Sequence, residues 1–577
     1  MDQAVKSKAE QWLNSSVIDS DSQAEIQRLL NQDNEHDLVD AFYKDLEFGT
    51  GGLRGTMGVG SNRINKYTIG MATQGLSNYL LKTYPDEQIK VVIAHDSRNN
   101  SRRFAEVVAA VFSANNIQVY FFDGLRPTPE LSFAIRALGC HSGVVLTASH
   151  NPKEYNGYKA YWKDGAQLVP PHDKNVIEEV EAIEGLDAVK FERNEDKIQV
   201  IGADIDEQYL EAIKGLSLSP EAIKNQSDLK IVFTPIHGTG VTLVPPALKK
   251  LGFTNVHVVE EQAEPDGNFP TVVYPNPEES EALSIAIRQA TEMDADLVMG
   301  TDPDADRVGI AVKNREGKFE ILNGNQAGSL LVYYLLKKWQ EAGKLNGKQF
   351  VAKTIVTTEL IRKIAEHYQV DCYDTLTGFK YIAALIKEME GKQTFIGGGE
   401  ESYGYLIGDF VRDKDAIASC AMIAEMTAYV KDQGMNLYDF LLETYQEFGL
   451  YKESLVSLTK KGKSGVEEIQ QMMRNLRENP PETIVGEKVV KIIDYQEGIE
   501  TDVISGKQRP IEFPESNVLQ FFTEKETKVS ARPSGTEPKI KFYFSVNDKL
   551  DNKSDFAQKW EALDKKVEAV IQDMQLQ

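Results

Sequence analysis

After an opening stretch of roughly forty residues, short apolar and β-branched runs alternate along the chain with amphipathic stretches of helical length. The opening stretch is polar with helical periodicity and ends in Leu38-Val39-Asp40-Ala41-Phe42. The apolar runs that predict strands are Val91-Val92-Ile93-Ala94, Val119-Tyr120-Phe121-Phe122 and Gly143-Val144-Val145-Leu146. Further along come Lys230-Ile231-Val232-Phe233, Val256-His257-Val258-Val259, Leu297-Val298-Met299 and Phe350-Val351-Ala352-Lys353. Strands alternating with helices imply βαβ units and mixed or parallel sheets. Four of the strands run into polar loops: Thr147-Ala148-Ser149-His150-Asn151-Pro152, Thr234 to Gly238, Thr301 to Asp306, and Gly397 to Ser402 after Phe395-Ile396. Open α/β sheets bind ligands at the carboxyl ends of their strands, so these loops are where chemistry is expected.

The pattern changes from about residue 451. Lys460–Lys463 and Glu478–Glu482 resemble linkers or loops, two strand-like runs flank Arg532-Pro533-Ser534-Gly535-Thr536, and a helical tail runs from Ser554 to about Met574. The expected fold class is therefore α/β: three successive mixed α/β domains plus a C-terminal α+β domain around a central active-site cleft. The expected boundaries are 1–208, 209–323, 324–450 and 451–577. A chain of 577 residues is too long for one core, which agrees with several domains.

Composition narrows the class. A net charge of −24 disfavours nucleic acid and anionic lipid as partners, but leaves room for small anions in a locally basic cleft. The apolar run Leu330–Leu336 falls well short of the ~20 residues of a spanning helix. The N-terminus is charged and lacks the apolar core of a signal peptide. Cys140, Cys372 and Cys420 are widely spaced with no CxxC pair, which points to a reducing compartment, the cytoplasm, and away from zinc.

Asp302, Asp304 and Asp306 alternate in a loop between two strand-like runs, and three hard oxygens at that spacing suit Mg²⁺, Mn²⁺ or Ca²⁺. An EF-hand needs Gly and Glu where Arg307 and Lys313 stand, so that reading fails. A solvated acidic turn is the plain alternative. Ser149 and His150 place a hydroxyl beside an imidazole in a turn, without a GxSxG elbow around the serine. Phosphoryl transfer through a serine requires a nearby metal and cations, and the aspartate loop offers the first. Arg532-Pro533-Ser534-Gly535-Thr536 joins a guanidinium, two hydroxyls and a glycine, the parts of a phosphate cradle. Neither a Walker A nor a GxGxxG motif is present: Ser457 stands where the first needs Gly and Arg54 where the second does.

In this order the segments resemble those of the α-D-phosphohexomutase family, which includes phosphoglucomutases and phosphomannomutases. The resemblance covers about residues 40 to 550 and includes Gly49-Thr50-Gly51-Gly52-Leu53-Arg54-Gly55 near the N-terminus. It implies that Ser149 carries the phosphoryl group and, with Asp302, Asp304 and Asp306, holds one Mg²⁺. It also implies Arg54, His150 and Lys159 near the reacting oxygen, with Thr50 in the same N-terminal segment. Glu400 and Ser402 would grip sugar hydroxyls; Arg532, Ser534, Gly535 and Thr536 the distal phosphate; Lys380, Arg412 and Lys414 would add positive charge.

The implied reaction interconverts α-D-glucose 1-phosphate and glucose 6-phosphate, with glucose 1,6-bisphosphate as intermediate and activator. Pro303 replaces the glycine of the family's usual Asp-Gly-Asp, a variation of longer members, some of which prefer pentose phosphates. A phosphopentomutase is therefore the rival reading, with a phosphomannomutase third, since Glu400 to Gly404 looks like the glucose-type loop. A non-catalytic sugar-phosphate sensor is the alternative from another class, against which the intact serine and aspartates argue. Small sugar phosphates are the expected partners of a monomer or weak dimer, with no nucleic acid and no membrane.

Overall fold

A computed structural model describes residues 3–32, 35–49, 52–460, 462–534 and 539–576. The chain divides into two compact units: 1–323 with 383–397 and 402–434, and 324–382 with 398–401 and 435–577. The expected positions Thr50, Gly51, Gly535 and Thr536 lie outside the described residues.

The first unit opens with helices Gln3–Leu13, Ser20–Leu30 and His36–Phe42, which bury Val5, Trp12, Ile26, Leu38 and Phe42 around Tyr67. Six strands follow: β1 (Gly52–Thr56), β2 (Lys90–His95), β3 (Gln118–Phe122), β4 (Ser142–Leu146), β5 (Tyr155–Trp162) and β6 (Ile198–Ile201). They form one sheet, β1-β5-β4-β2-β3-β6, parallel from β4 to β6, with β5 antiparallel to both β4 and β1. Strand alternation explains why its central strands are apolar throughout. Val91, Ile93, Val119, Phe121, Val144 and Leu146 face one core, while Val92, Ala94, Phe122 and Val145 face another.

A second sheet has the order β11-β10-β9-β7-β8, built from β7 (Ile231–Thr234), β8 (Val256–Val258), β9 (Leu297–Thr301), β10 (Val308–Lys313) and β11 (Phe319–Leu322). Its β7, β8 and β9 run parallel and β10 turns back antiparallel, so the Asp302–Arg307 loop is a tight connection between β9 and β10. The expected strands at 91–94, 119–122, 143–146, 230–233, 256–259 and 297–299 correspond to β2, β3, β4, β7, β8 and β9.

β12 (Gln349–Thr354), β13 (Asp371–Thr375), β14 (Thr394–Glu400) and β15 (Gly404–Ile407) make the third sheet, ordered β13-β12-β14-β15. Here the sequence reading needs correction: Gly397 to Glu400 are not loop but the end of β14. Glycine is required there because a Cβ on Gly398 would meet the Ala352 carbonyl oxygen at 1.9 Å.

The C-terminal domain is a β-rich sheet of β16 (Leu450–Thr459), β17 (Thr483–Ile484), β18 (Glu487–Asp494), β19 (Ile499–Asp502), β20 (Gln508–Pro510), β21 (Leu519–Thr523), β22 (Lys528–Pro533) and β23 (Lys539–Asp548). Helices Gly462–Glu478 and Phe556–Asp573 accompany it. The expected linker at Lys460–Lys463 is corrected at its end: Lys461 lies outside the described residues, and a helix starts at Gly462 and fills the interval to Glu478, its amphipathic repeat outweighing the glycine and lysine at its start. Within the second unit this sheet meets the third domain through Ile355, Val356, Leu376, Ile493, Val518 and Tyr543. Beside that apolar contact, buried Lys528 on β22 reaches Glu359 Oε1 at 2.7 Å, and buried Lys353 on β12 reaches the same oxygen at 3.1 Å and Asp374 at 2.8 Å. Among the described residues, no helix is long and apolar enough to cross a membrane.

Gly157 on β5 is the closest constraint on where β4 ends. A Cβ there would lie 2.5 Å from the Thr147 carbonyl oxygen and 2.8 Å from that of Leu53, so β1 and the end of β4 could not both keep their places. Gly157→Ala should cost about 1–3 kcal/mol by urea denaturation, and an unchanged midpoint would show that the strands can part without penalty.

Candidate active site

The site of the first unit is assembled at the ends of β4 and β9. Ser149 follows β4 in a turn where its φ is +53°, a left-handed conformation uncommon outside glycine. Its backbone N–H donates to Thr147 Oγ1 at 2.8 Å, and its Oγ donates to Asp302 Oδ2 at 2.8 Å. His150 Nδ1 lies 3.3 Å from the same Oγ. Adjacency in sequence thus does bring imidazole and hydroxyl together here.

The three aspartates follow β9, are buried, and present carboxylate oxygens that all lie within 4.8 Å of one another. Asp302 Oδ1 accepts from the backbone N–H of Asp306 at 3.1 Å and of Arg307 at 3.0 Å, closing the loop on itself. Thr128 donates to Asp304 Oδ2 at 2.7 Å from the start of helix Thr128–Ala137. Lys159 Nζ on β5 sits 2.7 Å from Asp304 and 3.2 Å from Asp306, and Lys414 Nζ 3.2 Å from Asp306. Asp304 Oδ1 and Asp306 Oδ1 are buried with no hydrogen-bond partner among the described residues. Buried acceptors without donors are what a hard divalent cation satisfies, so the donor set fits a metal ion.

The electrostatics divide the titratable groups. Burial and the charges of Asp304 and Asp306 hold Asp302 well above the usual carboxylate range. Asp306 is driven far the other way, since Lys414, Lys159 and Arg307 outweigh its burial. Lys159 keeps its proton because Asp304 and Asp306 overcome its burial. His150 is held neutral by burial and by the charges of Arg307 and Arg54. Arg54 on β1 donates to Asn151 Oδ1 at 3.2 Å.

The other expected residues are divided between the two units. Arg412 and Ser402 belong to the first with Lys414. Arg412 is buried, donating to the Asp409 carbonyl and pairing with Glu390, while its Nη1 has no hydrogen-bond partner among the described residues. Lys380, Glu400, Arg532 and Ser534 belong to the second unit. There Glu400 Oε1 accepts from the Gly378 N–H at 2.9 Å, and Glu401 Oε2 accepts from the hydroxyls of Thr354 and Thr357 at 3.0 Å. Arg532 is near the end of β22, opposite Lys541, and Lys380 is in helix Phe379–Met389.

Three stretches match descriptions of one family: "Phosphoglucomutase/phosphomannomutase, alpha/beta/alpha domain I" over 45–186, domain II over 207–317 and domain III over 323–448. The chain is 38% identical over 511 residues to a phosphoglucomutase of Staphylococcus haemolyticus, covering 89% of this chain and 92% of the relative. The chain belongs to the phosphoglucomutase/phosphomannomutase family of α-D-phosphohexomutases. A Staphylococcus aureus phosphoglucomutase is 38% identical over 541 residues, with 93% and 96% covered. Among solved structures, Paramecium parafusin, a phosphoglucomutase in an open form, shares the fold at a TM-score of 0.68 and 18% identity over 92% of this chain and 96% of that one. A phosphoglucomutase/phosphomannomutase family protein of Burkholderia thailandensis does so at 0.62 and 19%, with 91% and 97% covered.

Several residues that build this phosphohexomutase site escape sequence reading. Thr128 is a lone hydroxyl between β3 and β4, with no motif of its own. Thr239 N–H and hydroxyl both donate to the Pro303 carbonyl, at 2.8 and 2.9 Å, so the loop after β7 braces the Asp302–Arg307 loop. Arg98 follows β2 and is hidden among ordinary surface-type arginines. The one signal available is position, just beyond the carboxyl end of a strand.

The sign of the carboxylate crowding is testable. A carboxyl whose proton affinity is raised in the folded state costs stability once the pH exceeds its ordinary value near ~4. In chelator, Asp302→Asn should therefore melt higher than the unchanged protein at pH 7, and the difference should shrink as the pH falls toward 4. Added Mg²⁺ should raise the melting temperature of the unchanged protein and leave Asp304→Asn nearly unmoved. Equal ion-induced shifts in both would place the ion elsewhere.

Proposed function

We propose that this protein is a phosphoglucomutase, interconverting α-D-glucose 1-phosphate and glucose 6-phosphate through phospho-Ser149 and glucose 1,6-bisphosphate. The observation that carries the reading is Ser149 Oγ at 2.8 Å from a carboxylate of a buried three-aspartate cluster whose free oxygens fit a divalent cation. The 37–38% identity to staphylococcal phosphoglucomutases over most of both chains supports the choice of sugar.

Asp302, Asp304, Asp306 and the phosphorylated Ser149 would hold one Mg²⁺. When bound, it supplies Lewis acidity toward the phosphoryl oxygens. In the first half-reaction the bond from Ser149 Oγ to phosphorus breaks as the C6 hydroxyl oxygen bonds to phosphorus. That hydroxyl's proton needs an acceptor, and neutral His150 beside Oγ is suited to the task. Lys159, kept protonated, stabilises negative charge on the transferring group. The bisphosphate then presents its other end: the bond from phosphorus to the anomeric oxygen breaks, Ser149 Oγ is rephosphorylated, and the proton returns to the product.

The remaining roles follow the residue types. Glu400 and Ser402 accept or donate to sugar hydroxyls. Arg532, Ser534, Gly535 and Thr536 take the distal phosphate, for which a bidentate guanidinium suits either phosphate in turn. Arg54, Thr50, Lys380, Lys414 and the remaining nitrogen of Arg412 add positive charge. These roles divide among domains at 1–208 (phosphoserine), 209–323 (metal), 324–450 (sugar) and 451–577 (phosphate). Three free cysteines support a cytoplasmic setting.

Two measurements test the reading. Ser149→Ala should fold normally and lose more than ~1,000-fold in turnover, since it lacks the covalent carrier; substantial residual activity would sink the phosphoserine route. Assayed side by side, glucose 1-phosphate should give a higher kcat/KM than ribose or mannose 1-phosphate, and a preference for ribose would make the protein a phosphopentomutase. In a separate test, Arg532→Lys should raise KM in both reaction directions and leave the covalent phosphate content intact. A change in one direction only would remove the last domain from phosphate recognition.

A further inference from the structure

The segment from Ser149 to Tyr155 has no regular secondary structure before β5 begins, yet it must hold a left-handed serine whose Oγ is aimed at Asp302. Left-handed backbone is unfavourable for a non-glycine residue, so something outside the segment has to impose it. Ser149 N–H is fixed by Thr147 Oγ1, but that bond alone leaves the carbonyl side of the residue undetermined.

The carbonyls are gathered by one side chain. Arg98 lies just past β2, and the side chains of both Arg98 and Asp96 are 0% exposed. Nη2 donates to the carbonyl oxygens of Ser149, at 2.6 Å, and Asn151. Nη1 donates to those of Pro152 at 2.8 Å and Tyr155 at 3.2 Å. Nε forms an ion pair with Asp96 Oδ2 at 3.4 Å without a hydrogen bond, while the two Nη groups take up all four carbonyls. The guanidinium lies over the Phe269 ring at 5.0 Å. Asp96 is itself pinned, its Oδ1 accepting from the Arg98 N–H at 2.9 Å and from Ser101 Oγ at 2.6 Å. A rigid fork bound to four carbonyls within seven residues dictates the path of that segment, which a flexible ammonium could not do.

We infer that Arg98 is a positioning residue for phosphoryl transfer: it holds the Ser149 turn in its left-handed form and so aims the nucleophile. The inference rests on the reading of Ser149 as the phosphoryl carrier. It requires that Arg98 act through geometry and not by touching a substrate, since its side chain is fully buried and its Nη groups are taken by four carbonyls.

Arg98→Lys separates geometry from charge, because it keeps the cation beside Asp96 but cannot reach four carbonyls. The variant is phosphorylated on Ser149 and mixed with saturating glucose 1-phosphate, and the first-order loss of phosphate is followed in a single turnover. That rate constant is insensitive to the fraction of folded protein, so a loss of stability alone would not change it. It should fall at least about tenfold, with KM within about threefold, and fall further in Arg98→Met. Because Arg98→Met strands Asp96 and is at risk of misfolding, Asp96→Asn/Arg98→Met provides a charge-neutral second version. Independently of any activity, hydrogen exchange at the amides of Ser149, Asn151 and Tyr155 should accelerate in Arg98→Lys while those within β2 and β4 stay as they were. A wild-type rate constant, or unchanged exchange at those three amides, would overturn the inference. If the unchanged protein transfers no phosphate from Ser149, the functional reading fails, and the exchange measurement still decides whether Arg98 shapes the turn.

Discussion

The structure of the first unit depends on keeping three carboxylates together out of water. Like charges this close repel by on the order of 3 kcal/mol per pair even with generous screening, and burial adds to the cost. The fold meets this with counter-charges and donors drawn from distant parts of the chain. Lys159 comes from the first sheet, Thr128 from the helix after β3, and Lys414 from a segment more than a hundred residues past the aspartates. Residues 402–434 group with the first unit although the chain has already entered the next domain, and Lys414 is among what they contribute. Lys414 thus ties that later segment of the chain to the aspartates.

The same unit concentrates backbone strain where its strands end. Ser149 after β4, Ile236 and His237 after β7, Ala305 after β9 and Tyr403 before β15 all have positive φ. Each lies in a loop leading from or toward a strand, and each is buried. Such conformations persist only where the surroundings over-determine them. Here those surroundings include the Thr239 bonds to the Pro303 carbonyl and the Asp302 bonds to the backbone of its own loop. The packed β-sheets supply the stiffness against which these turns are held.

Much of this was legible in the sequence because the information is local. Alternating apolar runs mark β2, β3, β4, β7, β8, β9 and β12, and the DxDxD spacing marks a cluster of carboxylates that could hold a cation, since both depend on residues a few positions apart. The failures share a cause of the opposite kind. The glycines at the end of β14 read as loop, because the close approach of Gly398 to Ala352 is visible only once the sheet is formed. Gly462 and the lysine after it read as linker, because two residues at the start of the helix obscured the amphipathic repeat beyond them. Thr128, Arg98 and Thr239 act on loops tens of residues away, and nothing in their own neighbourhoods announces it.

The ionic junction inside the second unit has a consequence for how this protein could be recombined with its relatives. Lys353 and Glu359 are in the third domain and Lys528 in the last, and the two buried lysines share one oxygen of a partly exposed glutamate. Lys528 also donates to the carbonyls of Ile355 and Thr357. A chimera cut between the two domains near residue 449 would keep each domain's own core, but would set Glu359 and these carbonyls against whatever the incoming strand offers in place of Lys528. Glu359 would keep Lys353 and Arg362 beside it but lose the cation that the last domain supplies. A foreign C-terminal domain therefore matches this junction only where it brings its own donor to the position of Lys528.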